Sequence, residues 1–542
     1  MACSDFPLDI YSAKKYGIEK WRKDFFWPVS YESFLQVETE IRQELNGLIE
    51  ENSGNYKSDL LIINYKIFIE YSNMLNVLRV LKELNKKGLK AIYGESSIVY
   101  KGIMENGIPT KRLMDTPVIP QVNAREKLRS KARLIIGTIL LNRSWISLFK
   151  VLFSQTSFVA NYSSLSEFGR EYIRSHPDKS ILLKDTYNWY PKSLNSKLNA
   201  NQEEELMNLT EGIIRRVEKT AHNWDLTLTK QQRLYLFNST FELFRETMLC
   251  LNGLKKYLAS LKPVHLLSGS AGQHFVRMLS AAVRSSGGTV TWFKHGEPMI
   301  YLTDYYSWVK LSSVDRFITY TQHSARAMET MLRKYPPLKN NNVKIEGAET
   351  RMFYDLWRKE SKKPLSKKIK SVMLIAKGFQ SDNKVAQGIA FPVLIQLDLE
   401  LRIINILKRA GYKVLYKVHP QGEQSEQARG LFGNDVEVVY EPFEDVMDMA
   451  DAFLFYHTIT TTSGQALSTN KPIIYIDGGW EKWVPEVFEL FSKRCFIISA
   501  HFDERNRLMI NEKELICALS REPAEPDTEF IERYMLPDNL KA

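Results

Sequence analysis

The sequence predicts an α/β protein of two doubly wound halves facing a cleft, with a large helical insertion in the first half. Three observations predict it. From residue 263 to about 491, short apolar runs alternate with helix-period stretches, the pattern of parallel sheets. A lysine-rich stretch, "WRKESKKPLSKKIKS" at 357–371, divides that series and places a linker at 356–370. In the second half, the residues that follow each strand are charged, small or rigid, and a doubly wound sheet binds its ligand at that edge.

Composition agrees with a globular chain of more than one domain. The chain has 542 residues, of which 44% are hydrophobic and 25% charged. With 74 basic against 63 acidic residues the net charge is +11, which suits an anionic partner such as a nucleotide-linked donor, an acidic glycan or a membrane surface. The four cysteines (Cys3, Cys250, Cys495 and Cys517) show no CxxC spacing, so a reducing compartment and no structural metal are expected. Asp5 and the lack of an apolar core in "MACSDFPLDIYSAKK" argue against a signal peptide.

The elements follow in order. Leu60–Asn64 reads as a strand, Leu75, Leu78, Leu81 and Leu84 as a helix stopped by Gly88, and Lys90–Tyr93 as a second strand. From about 100 to 255 the pattern is helical, as in "QEEELMNLTEGIIRRVEKTA". Within it, "ARLIIGTILLNRSWISLFKVLF" (132–153) is interrupted by Arg133, Arg143 and Lys150, which favours a buried helix over a bilayer span. Its basic lead-in, "REKLRSKAR", permits a membrane-surface helix. Strands resume at "PVHLLSG" (263–269), "TVTWFKHG", "DRFITYT" and "VKIEG", with helices between them. After the linker come "VMLIAK", a helix at 392–410, "KVLYKVHP", "DVEVVYEP", a helix at 443–449, "AFLFYH", a helix at 463–469, "KPIIYID" and a helix near 483–491. The expected domains are 1–355, with the insertion at about 100–255, then 371–500, with 501–542 packing back on the first domain.

The strand ends of the second half are Lys377-Gly378, Lys417 with His419-Pro420, Glu441-Pro442, Tyr456-His457 and Asp477-Gly478-Gly479. Lys417 and His419 share a strand face by the period of two, so both can meet one anion. His176-Pro177 shows that the dipeptide alone is uninformative, because there it follows a helix-like stretch. Thr460, Thr461, Thr462, Ser463 and Gly464 precede a helix, where hydroxyls and open N–H groups form either a phosphate cradle or an ordinary N-cap. Glu441, placed after "VEVVY", is a candidate acceptor for ribose hydroxyls. In the first half His295 and Glu297 end a strand, the placement of a general base and its partner, against the plainer reading of surface charges in a loop. "SGSAG" (268–272) lacks the spacing of a dinucleotide loop, and "DMADAF" (448–453) is not placed as a metal-binding DxD.

Together, Lys417, His419, Pro420 and the hydroxyl loop before "ALSTNKPIIYID" resemble the GT-B glycosyltransferases of bacterial surface polysaccharide synthesis, two Rossmann-like domains facing a cleft. The pattern is most similar to enzymes that use CMP-activated Kdo or sialic acid-type sugars, mostly over 260–500, and "HGE" at 295–297 looks like their HG element. The resemblance implies transfer of a 2-keto acid sugar to a glycan or lipid-linked glycan acceptor, without a metal or other cofactor and without nucleic acid. It implies phosphate binding by Lys417 and His419 with Thr461, Thr462 and Ser463; Lys377, Pro420, Glu441 and Gly464 join them as donor-binding candidates, and His295 and Glu297 are the catalytic candidates, by their places at strand ends and in the hydroxyl loop. It also implies a cytoplasmic protein, with peripheral contact at the inner membrane open. A CDP-alditol phosphotransferase of teichoic-acid type, a sugar-nucleotide epimerase and a non-catalytic assembly scaffold stay open as alternatives. The chain has no D/E-D/E-G segment of the sialyltransferase type.

Overall fold

The computed structural model describes residues 5–92, 158–161, 167–175, 182–184, 186–189, 197–260, 263–269, 273–294, 311–336, 342–377, 392–418, 430–432, 436–458 and 460–540. His295, Glu297, His419, Pro420 and the apolar stretch 132–153 lie outside them.

The N-terminal region differs from the expected strand–helix–strand unit. Strands β1 (Asp5–Pro7) and β2 (Lys90–Ile92) form a small parallel pair of their own. Between them run helices α1 (Ile10–Tyr16), α2 (Ile18–Asp24), α3 (Tyr31–Glu51), α4 (Tyr56–Ile63) and α5 (Lys66–Lys86). Leu60–Ile63, expected in a strand, lies in α4. The Asn55 side chain caps that helix by accepting from Lys57 N, and Asn64 Nδ2 donates back to the Leu60 carbonyl (2.8 Å). All four apolar residues are buried, so a continuous run served a helix packed on every side.

The first main sheet is wholly parallel in the order β4-β3-β5-β6-β7-β8. Its strands are β3 (Phe158–Asn161), β4 (Leu182–Lys184), β5 (His265–Ser268), β6 (Thr289–Phe293), β7 (Arg316–Thr319) and β8 (Lys344–Gly347). Strands β3 and β4 fall inside the segment expected to be a helical insertion, so about 100–255 is not helical throughout but contributes two strands to this sheet. The helices described there are α6 (Glu167–Ser175), α7 (Ala200–Asn223) and α8 (Lys230–Ala259). Reciprocal caps start the two long ones, Asn199 with Gln202 and Thr229 with Gln232. Helices α9 (His274–Ser285) and α10 (Gln322–Lys334) follow β5 and β7.

After α11 (Tyr354–Glu360) the linker is less free than its lysines suggest. Asp451 accepts from the Lys370 and Ser371 N–H groups (both 2.9 Å) and from Ser366 Oγ (2.8 Å), and Lys363 pairs with Asp448 (2.8 Å). The second sheet is built from β9 (Ser371–Ile375), β10 (Lys413–Lys417), β11 (Glu437–Val439), β12 (Ala452–Phe455), β13 (Ile473–Asp477), β14 (Phe496–Phe502) and β15 (Leu508–Ile510). Its order is β11-β10-β9-β12-β13-β14-β15, with only β15 antiparallel among these pairs. The sheet runs through residue 500 instead of ending there. Helices α12 (Val393–Arg409), α13 (Phe443–Val446), α14 (Thr461–Leu467), α15 (Pro485–Arg494) and α16 (Glu512–Ser520) connect or flank the strands.

Both sheets are mixed with helices in the manner of doubly wound folds. In the second, the chain starts at β9, steps outward through β10 and β11, then returns to the other side of β9 with β12. The gap between the carboxyl ends of β9 and β12 is therefore the topological switch point, where such sheets bind ligands. The chain ends cross over. Helix α17 (Glu529–Tyr534) meets the start of α10, where Ser324 Oγ donates to the Tyr534 carbonyl (2.9 Å) and Thr321 Oγ1 to that of Arg533 (2.9 Å). At the other end, Trp27 N–H donates to the Arg505 carbonyl (2.9 Å), and Tyr31 stacks on Phe502 at 5.1 Å.

Candidate functional site

The carboxyl edge of the second sheet is held by two buried carboxylates. Strands β9, β10 and β12 are apolar and buried along nearly their whole length, so the polar groups collect at their ends. On β10 the period of two sends Tyr416 to the α12 side and Lys417 to the opposite face. Tyr416 Oη donates to Glu400 Oε2 on α12 at 2.6 Å. Gln396 Nε2 donates to the other oxygen at 3.0 Å, and Tyr456, just past β12, donates there as well. Glu400 is fully buried, and burial pushes its carboxyl up to about 7 even though three donors favour the anion.

The same Tyr456 hydroxyl accepts the Lys377 N–H at 3.1 Å. Lys377 follows β9 at the switch point and is part-buried. Desolvation pushes its ammonium down to about 8, against the opposing pull of Glu481.

Glu481 is the second buried carboxylate. It accepts from Thr458 N (2.9 Å), Thr458 Oγ1 (2.8 Å) and Tyr475 Oη (2.7 Å), and burial raises its pKa against those bonds. The turn "DGGWE" makes this reach possible. Gly479 is left-handed (φ 72°), and its N–H donates to Asp477 Oδ1 (2.8 Å). A side chain at Gly478 would collide with the Trp480 ring, whose nearest atom lies 1.2 Å from the Cβ position. The indole therefore folds over Gly478, and Glu481 turns back beneath Thr458.

Of the hydroxyl segment, part serves the chain itself. Thr460 Oγ1 accepts from Ser463 N (3.2 Å), which caps α14. The buried Ser463 Oγ lies 2.7 Å from the carbonyl oxygens of both Thr458 and Thr460. Thr461 and Thr462 open the helix and are part-exposed, and Gly464 is buried behind them. Lys417 is buried at the end of β10 and donates from Nζ to the Val418 carbonyl (2.6 Å). Burial lowers its pKa, and the carboxylates of Glu441 and Glu444 oppose the shift. Glu441 is exposed one strand further out, with Oε2 accepting from Tyr440 N (3.1 Å).

The structure thus places Lys377 just past β9 and Thr458 and Thr460–Gly464 past the neighbouring β12, with Lys417 at the end of β10 on the other side of β9. Glu400 and Glu481 are not among the residues that the sequence singles out. The first had a signal, an acid set among Leu397, Leu399 and Leu401 in a long, leucine- and isoleucine-rich helix. The second had the glycine pair before it.

Among the described residues, no helix is long and apolar enough to cross a membrane. No family model matches the sequence, and no curated protein matches it. One solved structure does: KpsC of Thermosulfurimonas dismutans, a beta-Kdo 2,4 transferase, at 14% identity over 40% of this chain and 72% of that one, with a TM-score of 0.21. At that score the likeness carries no weight for fold or activity, and the functional reading rests on the site.

Proposed function

We propose that the chain is a glycosyltransferase of the GT-B type that moves a 2-keto acid sugar, Kdo or sialic acid-like, from a CMP-activated donor to a surface-polysaccharide acceptor. One observation carries it: the switch point of the second sheet brings Lys377 beside a hydroxyl-rich turn, with Lys417 on the adjoining strand. Cations in a poorly hydrated sheet edge suit a phosphate that gains charge as it leaves.

In this reading the acceptor hydroxyl attacks the anomeric carbon, the bond from that carbon to the phosphate oxygen breaks, and CMP departs with the electron pair. Lys377 and Lys417 offset the charge that builds on the phosphate, with His419 and Pro420 shaping the same edge. Thr461, Thr462, Ser463 and Gly464 form the turn against the phosphate, and Glu441 is assigned to the ribose. His295 takes the hydroxyl proton, with Glu297 orienting it. The two lysines do the work that a metal would do elsewhere. The assignment of His419 and Pro420 comes from the strand end and the resemblance, and that of His295 and Glu297 from their place at a strand end in the sequence. Cytoplasmic placement, with peripheral membrane contact, belongs to the same proposal.

Calorimetric titration with CMP, CDP and UDP tests the site. CMP should bind, and Lys377→Met should weaken it by roughly 10- to 100-fold, the scale of one lost charged hydrogen bond. Affinity should fall as pH rises through about 8, where Lys377 loses its proton, and this pH dependence should vanish in the variant. Product assays with CMP-Kdo, CMP-sialic acid, CDP-glycerol and UDP-GlcNAc then separate the chemistries. Consumption of CDP-glycerol alone indicates an alditol phosphotransferase, nucleotide release without acceptor an epimerase, and no nucleotide binding a scaffold.

A further inference from the structure

Glu400 belongs to no ligand-binding group in the reading above, yet it reaches the switch point through a single hydroxyl. The Tyr456 phenol makes two hydrogen bonds in opposite senses. It donates to Glu400 and accepts from the Lys377 N–H (3.1 Å). A phenol has one proton. Because that proton points at the Glu400 oxygen, a lone pair is left facing the Lys377 N–H.

The position of that amide matters. Ala376 N–H still donates across the sheet to the Lys417 carbonyl (3.1 Å), so the regular ladder runs to Ala376. At Lys377 the partner changes from a strand carbonyl to a side chain of β12's exit. Among the described residues, the Tyr456 hydroxyl thus takes over from the strand ladder at the exit of β9. Gln396 Nε2 steadies the carboxylate oxygen that receives it (3.0 Å).

We propose that Glu400, acting through Tyr456, is a positioning residue for the donor-phosphate site: it orients the hydroxyl that fixes the Lys377 backbone, and so the direction in which the Lys377 ammonium is presented. The inference rests on the assignment of Lys377 to the donor phosphate. Burial pushes the Glu400 carboxyl up to about 7, so holding the anion out of water costs free energy that its three donors offset in part.

The network contains its own control. Tyr416 donates to the other Glu400 oxygen (2.6 Å) and packs on Phe432, but its hydroxyl does not touch the Lys377 amide. Tyr456→Phe and Tyr416→Phe each remove one oxygen from a buried phenol. A role confined to stability predicts similar behaviour for both. Positioning predicts that they diverge.

The experiment is CMP titration of both variants, with hydrogen exchange at the Lys377 amide and steady-state kinetics in the donor. Tyr456→Phe should weaken CMP about tenfold, equivalent to about 1.4 kcal/mol. It should also speed exchange at Lys377 and raise the donor KM more than it lowers kcat. Tyr416→Phe should keep CMP affinity within about twofold of wild type and leave Lys377 exchange unchanged. Glu400→Met, which removes the acceptor at similar volume, should follow Tyr456→Phe. Equal loss of affinity in the two tyrosine variants overturns the proposal, as does an unaffected Tyr456→Phe where Lys377→Met loses binding. Wild-type protein that binds no CMP overturns the donor-site assignment and this role with it.

Discussion

Glu400→Gln should flatten the dependence of the second domain's stability on pH. The Glu400 carboxyl stands at about 7 in the folded chain against an ordinary value of 4.5, a difference of about 7 − 4.5 = 2.5 units. At about 1.36 kcal/mol per unit this amounts to about 3 kcal/mol, and full burial leaves no solvent screening to discount. Between the two values the native state holds a proton that the unfolded chain has released, so stability falls as pH rises. The contribution is complete below about 4.5 and lost through about 7. Glu70 on α5, pushed up by burial to about 8, slopes the same way. Lys377, pushed down from 10.5 to about 8, gives the opposite slope, with stability regained from about 8 upward. Only the Glu400 part disappears in the glutamine variant. Calorimetric melting of both proteins from pH about 5 to about 8 should show the wild-type transition losing roughly 6–12 °C relative to the variant as pH rises. Curves that stay parallel across that range would refute the buried, proton-holding carboxyl.

Two further substitutions probe the other supports of the site. Glu481→Ala removes the acceptor of three buried donors, so urea unfolding should show a loss of about 3–5 kcal/mol, with Glu481→Gln recovering part of it. Gly478→Ala places a methyl inside the Trp480 ring, 1.2 Å from its nearest atom, and the displaced indole should cost about 1–3 kcal/mol, read in the same assay.

The sequence was most legible where strands are central. β10, β12 and β13 are runs of branched and aromatic residues closed by Pro, His or Asp, and such runs have few other structures open to them. It was least legible where a run is short or apolar throughout. Leu60–Ile63 satisfies a buried helix as well as a buried strand, and the three residues of β4 carry too little pattern to stand out from helical surroundings. Lys377 and Lys417 could be found because position after a strand is a local property. Glu400 and Glu481 carry only a weak local signal, because the partners that tie them to the site, Tyr456 and Thr458, lie 56 and 23 residues away. A buried carboxylate is specified by what surrounds it in space.

The hydroxyl turn shows how far residue counting can carry a site. Read as sequence, Thr460–Ser463 offers four hydroxyls, more than a cap requires. In the fold, Thr460 caps α14 and Ser463 is bound to the carbonyls of its own turn. Capping and ligand binding are therefore not rival readings of one feature but a division within it. Two hydroxyls set the backbone, and Thr461 and Thr462 are the pair left at the part-exposed edge. In the proposed donor site this shifts the burden of recognising the phosphate from hydroxyl number to charge. Lys377, with its backbone fixed through Tyr456 and its charge opposed by Glu481, becomes the group on which donor affinity should depend most. On this argument Thr461→Ala and Thr462→Ala should each weaken CMP less than Lys377→Met does, because a neutral hydrogen bond contributes about half of what a charged one does.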